Sequence, residues 1–583
     1  MWRVILVLLW IFCGSAVAGV PTKAERHVVV VVWDGMRPDF VSEQNTPTLW
    51  KLARDGVTFR NHHAVYPSAT MVNGTSMVTG VYPGKNGIIA NHAYRPDINP
   101  HEAIDVELAA IVEKGDELSG GKYISVPTIA ELVQRVGAHS VVAAAKTVGL
   151  LLDRWPEDHF GGAVGSTSPL GEGERIKVRG SDTRDSEKEE TVALPSPLTR
   201  ERRINSENEY VRRHAVGSRS VTLFAGKSLP SGALAPITEA LDSFPATHLE
   251  KDSWTTKALT DVLWKDGVPA LTILWLGEPD LTQHETAPGA PAALAAIKSS
   301  DENLAAVLSA LDNHKARGTT DVFVVSDHGF STIRRSIDLR KLLNEAGFRA
   351  TTQFEGEPKP GDIMLAGNGG SVLFYVIGHD PAVTRRLVEF LQQSDYAGVI
   401  FTKQAMEGTF ALGQANIQNA NAPDVVMAFR WDKAKNQFGV PGVIDADWQR
   451  AAGKGTHATL SRFDMHNTLI AAGPDFKRDQ TDDLASGNVD LAATILQILK
   501  IKPPANVDGR ILFEAMNDAD SKNGVHQDDG SLFSRKADTK TLEATKHFPS
   551  GTWRQSLQTS IVNSTVYLDQ GNGEFVARKG DTK

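Results

Sequence analysis

The stretch His27–Trp33, reading HVVVVVW and followed at once by Asp34 and Gly35, decides the fold. A run of valines without polar alternation predicts a strand covered on both faces, and such strands belong to parallel sheets flanked by helices. The segment after it predicts the first helix. Thr46 stands as N-cap, Pro47 takes the first helical position, Leu49, Leu52 and Ala53 fall at helical spacing, and Gly56 is the stop. Short apolar runs recur at residues 141–145 (VVAAA), 270–276 (ALTILWL) and 321–326 (DVFVVS), each followed by polar residues and by Gly or Pro. In open α/β sheets ligands gather beyond the carboxyl ends of the strands, so polar groups far apart in sequence can converge there.

The remainder of the 583 residues sets the context. With 41% hydrophobic and 22% charged residues the chain is globular, and disorder throughout is excluded. A net charge of −9 and no basic patch interleaved with aromatics give no reason to expect polymeric nucleic acid as a partner. Met1, Trp2 and Arg3, the apolar run 4–12 and the small residues 14–18 have the three parts of a secretory signal, with cleavage expected after Ala18. Cys13, the only cysteine, lies in that leader behind the bulky Phe12, which does not suit lipoprotein processing. An exported chain without disulfides fits a bacterial periplasm, or secretion from such a cell. No later stretch is apolar for long enough to span a membrane.

The expected layout is a signal peptide over 1–18, a catalytic domain over 19–515 and a polar extension over 516–583, of which only 553–569 has the pattern of ordered structure. Within the domain, residues 165–218 read as a flexible insertion: no aromatic occurs from Gly165 to Glu209, and twelve charged residues fall between Gly171 and Glu190. Residues 342–448 alternate apolar runs with Gly and Pro and are expected to form a smaller subdomain that shapes the substrate pocket.

Four clusters can carry chemistry: Asp34; Asp280 with His284 in EPDLTQH; Asp327 with His328 in SDHG; and His457 in GTHA. Singly, each Asp is ordinarily a helix cap and each His an ordinary polar residue. Together they make three carboxylates and three imidazoles, a donor set for zinc or another divalent ion. Asp280 and His284, four apart, leave one face of a helical turn. Asp327 and His328 are adjacent, which strand alternation would split, and Gly329 is expected to let the chain turn there. In YPSATMVNGTSMVTG the helical spacing starts near Thr70, so a hydroxyl meets free backbone N–H groups and the positive end of the helix dipole. The simpler alternative is that Ser68 or Thr70 merely caps the helix.

These residues, in this order, resemble the nucleotide pyrophosphatase/phosphodiesterase branch of the alkaline phosphatase superfamily. The likeness runs from VVWDGMRPDF, NTPTLWKLARDGV and YPSATMVNGTSMVTGVYPGKNGII through LGEPDLTQHETAPG and VVSDHGF to KGTHATLSRFDMHNTLIAAGPDF and VDLAATILQILKIKPPANVDGRIL. It implies an α/β fold, alkaline-phosphatase-like, with a mixed, mostly parallel sheet sandwiched by helices. It also implies two Zn²⁺ sites, Asp280/His284/His457 and Asp34/Asp327/His328, other divalent ions being alternatives. Thr70 would be nucleophile and exchangeable ligand, and the path would run through a phospho-threonine. Asn73 matches the family's phosphate-binding asparagine. Asn91 falls at its Asp-Asn position with Ala90 in place of the acid, and is a further candidate contact. Lys146 occupies half of the Lys-x-Arg pair of monoesterases. The resemblance therefore points to a hydrolase of phosphodiester or pyrophosphate bonds acting on a small phosphoester or nucleotide. A monoesterase, a phosphonate hydrolase and a non-catalytic metal-binding protein are the alternatives; the C/S-x-P-x-R setting of sulfatases is missing.

Overall fold

The computed structural model describes residues 26–153, 220–517 and 536–578. The expected leader and the 165–218 insertion lie outside the described residues. The central sheet has nine strands in the order Gln480–Asp482, Val57–Phe59, Leu469–Ala472, Thr320–Val325, His27–Trp33, Leu271–Leu276, Ser140–Ala144, Val221–Phe224 and Lys227–Leu229. From Thr320–Val325 to Val221–Phe224 every neighbouring pair is parallel, with Val30 opposite both Phe323 and Ile273. Antiparallel pairs follow on both sides, and the edge strand Gln480–Asp482 returns to parallel pairing with Val57–Phe59.

The valine run is buried as its composition predicts. Val28, Val30 and Val32 enter one apolar core, and Val29, Val31 and Trp33 the other, on the opposite face of the sheet. Each fully buried valine contributes about 1.5–3 kcal/mol relative to exposure. Helices Pro47–Asp55 and Pro291–Asn313 cover one face through Leu49, Leu52, Ile297 and Leu304; Thr70–Thr79 and Asp490–Ile498 cover the other through Met71, Met77, Leu491 and Ile495. Thr46 holds the N-cap position of its helix but does not cap with its side chain. The Asp301 carboxylate takes that role from the long helix, accepting from the Thr48 and Leu49 N–H groups at 2.9 Å each.

A second, six-stranded sheet runs in the order Arg349–Thr351, Asp362–Gly367, Ser371–Val376, Val425–Phe429, Ala397–Thr402 and Phe410–Ala411, with helix Pro381–Gln392 packed on it. The order at the carboxyl end of the chain is wider than 553–569. Strands Asp538–Phe548, Gly551–Val562 and Thr565–Ala577 form an antiparallel sheet. It docks on the second sheet where Gln555 exchanges two hydrogen bonds with the Ile400 backbone. The outer strand DTKTLEATKHF was illegible because its inward positions, Leu542, Ala544, Lys546 and Phe548, are only half-buried and too weakly apolar to mark a strand. Among the described residues no helix is long and apolar enough to cross a membrane.

Candidate active site

Four of the parallel strands end on the same edge of the sheet, and each delivers a polar group just beyond its last residue. Trp33 leads to Asp34, Ala144 to Lys146, Leu276 to Asp280 and Val325 to Asp327 and His328. Helix Asp280–Glu285 brings Asp280 and His284 to one side, with His284 Nε2 3.3 Å from Asp280 Oδ1. His457, just after the strand Gly455–Thr456, completes this group with its Nε2 3.6 Å from the same Oδ1. In the neighbouring group His328 Nε2 lies 3.2 Å from Asp327 Oδ2 and 3.6 Å from Asp34 Oδ1. The ligand atoms of each triad lie within 4.8 Å of one another. Four-coordinate zinc with bonds of about 2.0–2.2 Å separates neighbouring donors by roughly 3.3–3.6 Å, so this spacing fits an ion.

Gly329 works differently from expectation. Its φ is not in the left-handed region. A side chain there would meet the Phe463 carbonyl oxygen at 2.0 Å. The close approach lets Gly329 N–H and Phe330 N–H donate to Asp464 and Phe463 carbonyls, which fixes the Asp327–His328 corner.

The hydrogen bonds around the two triads select the atoms that face inward. All three imidazoles donate from Nδ1 to backbone carbonyls: His284 to Gly455 at 3.0 Å, His328 to Gly329 at 2.9 Å and His457 to Ser68 at 2.7 Å. With Nδ1 so engaged, Nε2 is the ring atom that each imidazole turns to the site. Each carboxylate is likewise held by one oxygen. Asp34 Oδ2 accepts from Lys146 Nζ and from the Trp275 indole, both at 2.9 Å. Asp280 Oδ2 accepts from Lys146 at 3.2 Å, and Asp327 Oδ1 from the Gly35 and His328 N–H groups at 3.0 Å each. The opposite oxygens, Asp280 Oδ1 and Asp327 Oδ2, are buried without a hydrogen-bond partner. A buried carboxylate oxygen without a hydrogen bond, facing an imidazole Nε2, is costly unless a proton or a metal cation lies between them.

Electrostatics says the same. Burial, with Asp327 close by, pushes the Asp34 carboxyl well above the usual range, and burial lifts Asp327 to about 6. Burial acts against Asp280 as well, but the Lys146 ammonium and His284 hold it well below the usual carboxylate range. Burial beside His328 and His284 keeps His457 well below an ordinary imidazole, hence neutral. Burial also works against the Lys146 charge, but Asp280 and Asp34 outweigh it and keep the ammonium protonated. Burial thus drives Asp34 and Asp327 toward their neutral forms, and a cation bound among these groups would restore their charge.

The Thr70 hydroxyl does not cap its helix. Ala69 is the N-cap residue of Thr70–Thr79, and Ser68 Oγ donates to the Thr459 carbonyl at 3.2 Å. Thr70 Oγ1 instead lies 3.5 Å from Asp34 Oδ1 and 3.4 Å from His328 Nε2.

Two expected substrate contacts are otherwise engaged. Both amide hydrogens of Asn73 go to carbonyls, those of Val65 at 3.0 Å and Ala69 at 3.1 Å, and its oxygen accepts from Val65 N–H and Asn488. Asn73 therefore braces the loop ahead of Thr70 and has no hydrogen left for a phosphate. Lys146 bridges the two triads through Asp34 and Asp280. Asn91 is better placed: its Oδ1 accepts from Met71 N–H at 3.0 Å, beside Thr70, and one hydrogen of its Nδ2 goes to Glu107 at 2.9 Å, leaving the other.

Sequence reasoning missed Trp275, Glu107 and Asn488. Trp275 left a signal, because an indole N–H in a strand buried on both faces must find an acceptor. Also unforeseen is a third group, His63, His466 and Asp569. There His63 Nε2 lies 2.7 Å from Asp569 Oδ1, a hydrogen-bond length shorter than the ligand spacing above. This hydrogen bond ties the strand Thr565–Ala577 to the body that carries the two triads.

The family model for type I phosphodiesterase / nucleotide pyrophosphatase matches residues 28–434. Venom phosphodiesterase of Macrovipera lebetinus is 20% identical over 499 residues, which cover 85% of this chain and 45% of that protein. The chain thus spans less than half the length of that relative. Ectonucleotide pyrophosphatase/phosphodiesterase family member 1 of Homo sapiens is 38% identical over 68 residues, 11% of this chain and 7% of that protein. Among solved structures, murine ectonucleotide pyrophosphatase / phosphodiesterase 5, as an inactive variant in complex with AMP, superposes with a TM-score of 0.52 at 17% identity, covering 85% of this chain and all of that one. That likeness speaks to the fold.

Proposed function

The chain belongs to the type I phosphodiesterase / nucleotide pyrophosphatase family, and from that premise we propose that it hydrolyses phosphodiester or pyrophosphate bonds of small nucleotides or related esters with two zinc ions. The single observation that carries the reading is the pairing of oriented donors. Every carboxylate of the two triads has one oxygen held by N–H donors and the other turned toward an imidazole Nε2, with the Thr70 hydroxyl at the same spacing. Asp280, His284 and His457 would hold one ion, and Asp34, Asp327 and His328 the other. Bound zinc supplies positive charge that acidifies a neighbouring hydroxyl and offsets charge building on phosphoryl oxygens.

Thr70 Oγ1 then forms a bond to phosphorus as the bond to the leaving oxygen breaks. The phosphoryl group passes to the threonine, and the hydroxyl proton is lost toward the leaving oxygen or solvent. Water next attacks the phospho-threonine and restores the hydroxyl. The free hydrogen of Asn91 and the N-terminus of the ten-residue helix behind Thr70 are the chain's own donors to the phosphoryl oxygens. Lys146 acts on the metal carboxylates it bridges and keeps positive charge beside the phosphoryl position. The leader-like residues 1–18 support export, to a bacterial periplasm or medium.

The test compares hydrolysis of bis(p-nitrophenyl) phosphate, p-nitrophenyl phosphate and a p-nitrophenyl phosphonate, with and without chelator. Chelator-sensitive turnover of the diester supports the reading. A monoester preference of more than about tenfold would overturn the substrate assignment.

A further inference from the structure

Glu107 is the carboxylate of the site that neither triad uses. It is half-buried, and its Oε1 accepts from Asn91 Nδ2 at 2.9 Å. The other end of that amide accepts from Met71 N–H, the residue after Thr70. One amide group therefore separates Glu107 from the first turn of the nucleophile helix. The carboxylate also lies close enough to Lys146 to add to the stabilisation of its ammonium, behind Asp280 and Asp34. Among the described residues no Lys, Arg or His makes an ion pair with it. A carboxylate that forms no direct ion pair thus stands one amide group away from the residue that follows Thr70.

We propose that Glu107 sets the charge of the substrate this site accepts, admitting the singly charged phosphoryl group of a diester and penalising the second negative charge of a monoester. The inference rests on the hydrolase reading above. At short range a fixed negative charge opposes each further negative charge placed near it. The device works by repelling the unwanted ligand and needs no added contact to the preferred one. The same charge disfavours retention of the product of diester hydrolysis, a phosphomonoester that carries the second negative charge, and so favours its release.

Glu107→Gln isolates the charge, because the Gln carbonyl can still accept from Asn91. In the full-length, metal-loaded enzyme, the ratio of kcat/KM for p-nitrophenyl phosphate to that for bis(p-nitrophenyl) phosphate is expected to rise about tenfold or more in the variant. The inhibition constant for inorganic phosphate falls by a similar factor. Glu107→Ala, which also releases the Asn91 amide, gives the same change in ratio with a larger loss of overall rate. A ratio and a phosphate inhibition constant that both stay within twofold of wild type in Glu107→Gln overturn the proposal, as does a parallel fall of both activities. Wild-type protein that hydrolyses neither ester would overturn the hydrolase reading itself, a separate outcome read in the same assay.

Discussion

The His328 imidazole lies flat on that of His457, with 3.7 Å between ring centroids and 16° between planes, although the two rings belong to different triads. Their Nδ1 atoms are anchored to carbonyls on opposite sides, Gly329 in one case and Ser68 in the other. The stack fixes the spacing of the two triads, and Ser68, two residues before Thr70, carries that register to the hydroxyl.

Thr70→Ala removes the one hydroxyl at this junction and leaves every other donor in place. Turnover is expected to fall at least about a thousandfold while bound metal per chain stays at the wild-type level. Steady-state assay beside elemental analysis checks both; equal loss of metal and activity would mean that Thr70 only builds the site.

Trp275→Phe keeps the ring in the core but removes the donor that holds Asp34 Oδ2. Losing an orienting partner of this kind typically costs about 10- to 100-fold in metal affinity or activity. Chelator competition should show the loss at one ion of two. Unchanged affinity would assign the orientation of Asp34 to Lys146 alone.

Asp569 lies in the last strand and pairs with His63 of the catalytic body, both side chains nearly buried. Removing one partner leaves a buried hydrogen-bonding group unsatisfied, at about 1–3 kcal/mol. Asp569→Ala should lower the stability by that order in denaturant unfolding and expose residues 538–577 to protease. An unchanged midpoint would make this sheet an independent appendage.

Asp321, in the central strand Thr320–Val325, has its carboxyl pushed up to about 8 by burial. An unfolded Asp titrates near 3.9, so between about pH 4 and pH 8 the folded state holds a proton that the unfolded state has released. The stability this group contributes is complete below pH 4 and is lost as the pH rises through 8, by up to about 1.4 kcal/mol per unit. Asp321→Asn abolishes that slope. Urea unfolding at pH 5, 6.5 and 8 should therefore show the variant gaining on wild type with each step, and a constant difference would contradict the assignment.

Much of this molecule could be read from its residues. The valine run gave the strand and its two covered faces, because unbroken β-branched sequence has no other soluble home. The strand-end rule then brought Asp34, Asp280, Asp327 and His328 to one edge. The orienting contacts were beyond reach: Trp275 and Lys146 act on Asp34 across 241 and 112 residues, and periodicity carries no information on such pairs. Asn73 shows the opposite failure. The family resemblance implied a phosphate contact for it, whereas in this structure the Val65 and Ala69 carbonyls take its hydrogens. The strand Asp538–Phe548 was hidden because its one covered face is only half-buried, with Lys546 among Leu542, Ala544 and Phe548, and much of its order comes from pairing with a neighbour.

The most direct test of the two-ion site is the metal content of the purified chain and of two variants, Asp280→Ala and Asp327→Ala. The account predicts two zinc ions per wild-type chain and one in each variant, with phosphodiester hydrolysis lost in both. One ion or none in the wild type, or a stoichiometry that neither substitution changes, would contradict it.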